Sequence, residues 1–456
     1  MVTIKNTVLK FLKSKVLRNT LFTLVILGSI LSPVLPSAGI AQAAANRYLV
    51  GTGDWDNNAI WSATDGGGGG ATYPVAGDAA LFTANSNGFT VTITDAEYCA
   101  SLTASGATTA SLNGTGTLVL TGNTVLLASM TVPNTLTFNV TSTGNFNGST
   151  LATIGAINLN GTAHTLAGAF TNTILTRTGT ETKTDTLTLT SGTTLTCGTF
   201  AMIGNSVTNR LLVQSSTLGT PATITATNWT GSANVDIMDI TVTNPVDLSA
   251  ITGGSGDCQG NSVNIVFTPA AAQISATTGL WSNPATWADG VGTDRVPLPQ
   301  DDVSCSHSVT MDMPRAGKNV TFTGTPTLSS AINFDIYGSY TCVSGMTHPV
   351  RGVGLRGRGN YTITNALKEY SVIVYCYGGE YVLQDDALFS SFSYEAGGFD
   401  FNDNNVTITS VFSHNTIGTT SCKLGNGVMT LTRNDAFTKW NFANVVGLTF
   451  DAEGST

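Results

Sequence analysis

The chain is 456 residues long with a formal net charge of −9; only 10% of its residues are charged, while 41% are hydrophobic. An acidic balance of this size excludes nucleic acid and anionic membrane as electrostatic partners. The hydrophobic share excludes a disordered chain, and 50 glycines beside so few charges are unlike the make-up of a helical cytosolic enzyme.

Residues 1–43 read as a secretory signal peptide. Lys5, Lys10, Lys13, Lys15 and Arg18 precede an apolar stretch from Leu21 to Leu31, Pro33 and Pro36 interrupt it, and Ala41-Gln42-Ala43 supplies an A-x-A cleavage site. Cleavage is expected after Ala43, with Ala45 as the alternative. The apolar core is short for a bilayer interior of about 30 Å. No second apolar run of spanning length follows, so the expected product is secreted or at the cell surface, with no stable membrane span after cleavage.

A first module is expected over 44–268. It opens on Gly53-Asp54-Trp55-Asp56-Asn57-Asn58-Ala59-Ile60-Trp61, a glycine run at Gly66 to Gly70, and Pro74-Val75-Ala76-Gly77-Asp78. Short strands follow in which Thr alternates with Leu, Val, Ile or Phe, such as Thr117 to Thr121, Thr135 to Asn139 and Thr186 to Thr190. Period-two alternation marks a strand with one buried and one wet face. Asn113-Gly114, Gly122-Asn123, Asn147-Gly148, Asn160-Gly161 and Gly204-Asn205 punctuate them as turns.

Residues 269–278 form a linker, and the opening sentence then repeats. The second module, 279–456, begins Gly279-Leu280-Trp281-Ser282-Asn283-Pro284-Ala285-Thr286-Trp287 and continues to Pro297-Leu298-Pro299-Gln300-Asp301-Asp302-Val303. In both copies the tryptophans are six apart and a Pro-x-x-x-Asp turn follows. A repeat of such long period signals two modules of one architecture. The segment from Trp440 to Phe450 reads as a further rung with no polar cap after it. The expectation there is a truncated module, continued by further C-terminal domains or covered by a second copy in a homo-oligomer.

The fold class read from this pattern is all-β, as two tandem β-solenoid modules of the right-handed parallel β-helix type. A sandwich is the rival. The Thr, Ser and Asn bias favours the solenoid, because stacked coils set like side chains above one another in ladders worth about 0.2–1 kcal/mol per pair. The tryptophans fall where each solenoid needs its open first coil covered.

Candidate sites are few. Trp55, Trp61, Trp281 and Trp287 are capping rings or, if exposed, a carbohydrate platform. Arg351, Arg356 and Arg358 form the one basic cluster, which would suit an acidic surface glycan or cell-envelope component. Asp400, Asn402 and Asn404 place oxygen atoms at alternate positions and are candidate calcium ligands, although the loop lacks the sixth-place glycine and twelfth-place acid of an EF-hand. Calcium is the one cofactor considered. No catalytic set is read: Asp301-Asp302 and Asp385-Asp386 are neighbours on a strand and point to opposite faces. His164, His307, His348 and His414 are scattered. The seven cysteines fit no disulfide framework, with one or two bridges between coils left open.

The paired tryptophans, the glycine-rich loop and the Pro297 to Val303 turn resemble the cap segments of repetitive β-solenoid proteins of phage particles and bacterial surfaces. Asn209 to Gly219, Gly256 to Ser262 and Tyr337 to Cys342 are similar to stretches of such proteins. Trp281 to Trp287 is similar to the opening of G8-type extracellular β-domains. The resemblance implies an adhesin-like or structural protein of the cell surface. The alternatives are a phage-like tail fibre or receptor-binding protein, and a glycan lyase or hydrolase acting in a β-helix groove.

Overall fold

Short alternating runs become short parallel strands when each can hydrogen-bond to the equivalent run one turn away. The computed structural model describes residues 44–148, 153–288, 295–415, 419–432, 440–444, 448–452 and 454, and shows such a coil: a parallel β-solenoid of about 16 turns. Among the described residues the helices are 3₁₀ turns, Asn58–Ile60, Ala84–Ser86 and Pro284–Trp287. None is long and apolar enough to cross a membrane. The expected signal peptide lies outside the described residues.

Register explains the alternation. Cys99, Leu120, Val140, Leu159, Arg177 and Met202 stack on successive turns, and all point inward and are buried. One residue earlier, Tyr98, Val119, Asn139, Asn158 and Thr176 stack on the outer face. Outer polar residues bond along the axis: Thr225 and Thr243 hydroxyls are 2.8 Å apart, and Asn160 Nδ2 donates to Asn139 Oδ1 at 2.8 Å. Thr310 meets Ser329, Ser391 meets Ser371 and Ser413 meets Ser393 in the same way. The Asn-Gly turns stack as tightly as the strands. Gly114 has φ +110°, and a Cβ there would lie 1.9 Å from the Ile93 carbonyl oxygen one turn below, so only glycine fits.

Two separate cores result. The first runs from Leu49 to Ile265 and the second from Trp281 to Leu424, and their sheets share no strand. They are joined through side chains. Asp236 accepts from Arg210 Nε at 2.8 Å and from Arg315 Nε at 2.6 Å, so one buried carboxylate of the first coil holds an arginine of each. Burial pushes the Asp236 carboxyl up, but the two guanidinium groups outweigh it and hold it below the usual range. Lys183 Nζ meets Asp312 at 2.6 Å, and Arg358 Nη2 meets Asp239 at 2.6 Å. Met238, Cys258 and Tyr337 form a small apolar cluster alongside. All seven cysteines are buried free thiols, which answers the open question of bridges.

Candidate functional site

The duplicated tryptophans occupy the start of each core. Trp55, Trp61, Trp281 and Trp287 are at most 1% exposed and offer no ring face to a ligand. Each pair meets edge to face, with centroids 5.1 Å apart in the first module and 4.8 Å in the second. The second ring of each pair donates Nε1–H to the backbone oxygen of the first at 2.8 Å. Asn57 and Asn283 cap the intervening 3₁₀ turns through Ala59 N and Ala285 N. The following Pro-x-x-x-Asp turn is closed by its carboxylate. Asp78 Oδ2 accepts from Val75 N at 3.4 Å and Asp301 Oδ2 from Leu298 N at 2.7 Å. Each carboxylate also faces an arginine, Arg47 and Arg295 respectively.

The arginine cluster divides. Arg351 is exposed on Val350–Leu355. Arg356 Nε lies 2.6 Å from Asp335 Oδ2, and its guanidinium sits 4.3 Å from the Tyr375 ring centroid. Arg358 is bound to Asp239 and lies 5.8 Å from the Tyr377 centroid. Arg356 and Arg358 are therefore already neutralised by aspartates and brace two tyrosines.

Those tyrosines border a groove between the two cores, a cavity of about 300 Å³ lined by Thr217, Leu218, Thr220, Arg356, Tyr375, Tyr377, Glu395, Ala396 and Thr419. A second cleft of about 500 Å³ shares Tyr377 and Thr419 with it and is bordered also by Asn360, Glu380 and Ser421. Irregular register builds the groove. Tyr370–Leu383 pairs with Ala387–Asp400, but Val374 opposes Tyr394 and Tyr375 opposes Ala396, which leaves Glu395 as an extra, bulged residue. A bulge re-aims the side chain that it frees. Between Tyr375 and Glu380 the chain makes an excursion carrying Tyr377, opposed by Gly397 alone, with Cys376 Sγ bonded beneath it to the Gly398 oxygen at 3.3 Å. Tyr377 is 40% exposed. Burial raises the Glu395 carboxyl above its usual range, against a hydrogen bond from Ser393.

The proposed calcium ligands form a turn. Asp400 Oδ1 accepts from Asn402 N at 2.8 Å, and the Asn402 and Asn404 amide nitrogens both donate to the Leu383 oxygen. The other Asp400 oxygen lies 3.9 Å from Lys423 Nζ. Backbone thus takes one Asp400 oxygen and both amide nitrogens of the trio. Among the described residues no group of three or more His, Cys, Asp or Glu is placed to hold a metal ion. Asp385 and Asp386 likewise hold turns of adjacent coils, through Asn365 N and Ala366 N and through Asn405 N.

One further pocket lies beside the first cap, lined by Asp56, Tyr73, Asp95, Glu97 and Tyr98 among others. Glu97 heads an inward column, Leu118, Phe138, Ile157, Leu175 and Phe200. Burial there, then the charge and hydrogen bonding of Asp95 and the charge of Asp56, push its carboxyl up to about 7.

Sequence reading missed Tyr375, Tyr377, Glu395 and Glu97. The run Tyr375-Cys376-Tyr377-Gly378-Gly379 breaks the Thr alternation and was the visible signal for two of them. Compared with protein-family models, with curated proteins and with solved structures, the chain matches none.

Proposed function

We propose that the protein is an exported, non-enzymatic β-solenoid with structural or adhesive work at a cell surface. The observation that carries this reading is where the charge goes. Arg47, Arg177, Arg210, Arg295, Arg315, Arg356 and Arg358 each pair with an aspartate. The carboxylates of Asp78, Asp185, Asp236, Asp239 and Asp301 in those pairs are buried. Such groups brace turns and join coils, because a buried carboxylate held by arginine and backbone N–H is a poor proton carrier. The outer faces are left to hydroxyls and amides, a surface suited to contact without chemistry.

The test is localisation of the full chain by fractionation of its host, with a screen of the purified protein against neutral and acidic polysaccharides for binding and for cleavage. Export with saturable binding and no turnover is expected. Turnover of any glycan would overturn the non-enzymatic reading. Glu97 is the observation favouring that rival, a glycan hydrolase or lyase, since a carboxyl that titrates near neutral pH suits a general acid. On the rival reading, Glu97→Gln abolishes the turnover.

A further inference from the structure

The geometry points to the groove at Tyr375, Tyr377 and Glu395 as a binding site for a neutral glycan. Its two cavities, which share Tyr377 and Thr419 as walls, have the size of small-molecule sites, which run from about 300 to 1,000 Å³. Charge decides the class of ligand. The nearby cations are already paired: Arg356 with Asp335, Arg358 with Asp239 and Lys423 with Glu380. Glu395 has no cation within ion-pair distance among the described residues, and burial works against its charge. An acidic polymer would bring its carboxylates against Glu395 and find no unpaired cation among the described residues lining the groove. A neutral polyol would donate hydroxyls to Glu395 and exchange hydrogen bonds with Thr217, Thr220 and Thr419, relieving a half-desolvated acceptor.

The tyrosines supply the other half of the chemistry. A sugar ring has an apolar C–H face beside its hydroxyl edge, and tyrosine offers an apolar ring with a polar tip. Tyr375 is held under Arg356. Tyr377 rests against the backbone of the first coil at Gly219, where a Cβ would lie 2.2 Å from the ring. The platform is thus pre-set by both modules, which lowers the ordering cost of binding.

The proposal takes from the surface-adhesive reading only where the ligand is met. The experiment is titration calorimetry of the full chain against cellohexaose, maltohexaose and galactan oligosaccharides, with polygalacturonate oligomers as the acidic probe. At least one neutral probe is expected to bind saturably. Tyr377→Ala and Glu395→Gln are each expected to weaken it tenfold or more without shifting Tm, while Arg351→Ala leaves it unchanged. No binding of any neutral probe, binding unaffected by both groove variants, or binding of polygalacturonate alone would overturn the site. If Tyr377→Ala lowers Tm, Glu395→Gln decides. Export without glycan binding removes this site and leaves the scaffold reading, whereas binding by a protein retained inside the cell does the reverse.

Discussion

In both modules a tryptophan donates its indole N–H at 2.8 Å to the oxygen of the tryptophan six residues earlier, yet the coil beyond that plug is filled differently. The first core is mainly Leu, Ile, Val and Phe, with buried ion pairs at Arg177–Asp185 and Arg210–Asp236. The second stacks Tyr340, Tyr370, Tyr381 and Tyr394 with Phe389, Phe392 and Phe412. Tyrosine fills volume but brings a hydroxyl that needs a partner. Tyr340 Oη meets His348 Nε2 at 2.5 Å, Tyr381 Oη accepts from Gly357 N at 3.0 Å, and Tyr394 Oη donates to the Phe399 oxygen at 3.2 Å. The opening is therefore specified locally, residue by residue, whereas the interior requires volume and satisfied polar atoms and accepts several solutions.

If that division holds, the plugs should act alike and separately. Trp61→Ala and Trp287→Ala are each expected to cost about 3–5 kcal/mol, in different places. Native-state hydrogen exchange should show Trp61→Ala deprotecting strands of the first core and Trp287→Ala those of the second. Equal loss throughout both cores in either variant would make the ion pairs across the junction, not the cores, the unit of stability.

The second core should also be acid-sensitive at one named position. Burial, with a smaller push from Lys368, lowers His348 to about 4 from an ordinary value of 6.5. The unfolded chain takes up this proton first. His348 therefore contributes stability that is present above pH 6.5 and is lost as the pH falls towards 4, on the order of 3 kcal/mol. His348→Gln keeps a partner for Tyr340 and removes the titration. Denaturation at pH 7 and pH 4.5 should show a smaller acid loss in that variant, and an unchanged loss would remove His348 from the account.

How much of this was legible in the sequence follows from range. Alternating Thr and apolar residues specify strands with one wet face, and the Trp and Pro…Asp spacings recur, so solenoid and caps could be read locally. The groove could not. Glu395 is the extra residue between Tyr394 and Ala396, which oppose the consecutive Val374 and Tyr375 one turn away, a register shift that no local pattern announces. Arg358 lies 119 residues from Asp239, and Arg315 lies 79 from Asp236. The arginine cluster was visible, but the pairing of Arg356 with Asp335 and of Arg358 with Asp239 was not, and the proposal of a neutral rather than an acidic ligand rests on it. The tryptophans were visible too, and their burial turns them from a platform into a plug.

The smallest predicted effect runs opposite to that of His348 and tests the first module's end. Glu97 occupies a position that its column fills with Leu118 and Phe138 one and two turns on. A carboxyl there is half desolvated and faces Asp95, so its neutral form is favoured and its value rises to about 7 from 4.5. The sign follows from which state holds the proton. Between pH 4.5 and 7 the folded chain is protonated at Glu97 and the unfolded chain is not. Glu97 therefore contributes stability that is fully present below pH 4.5 and is lost as the pH rises through 7. Glu97→Gln mimics the protonated form at every pH. It should leave Tm unchanged at pH 4.5 and raise it slightly at pH 8, where the charged carboxylate otherwise faces Asp95 and Asp56. A gain of equal size at both values would mean that shape, not charge, sets the cost of an acid at the end of this column.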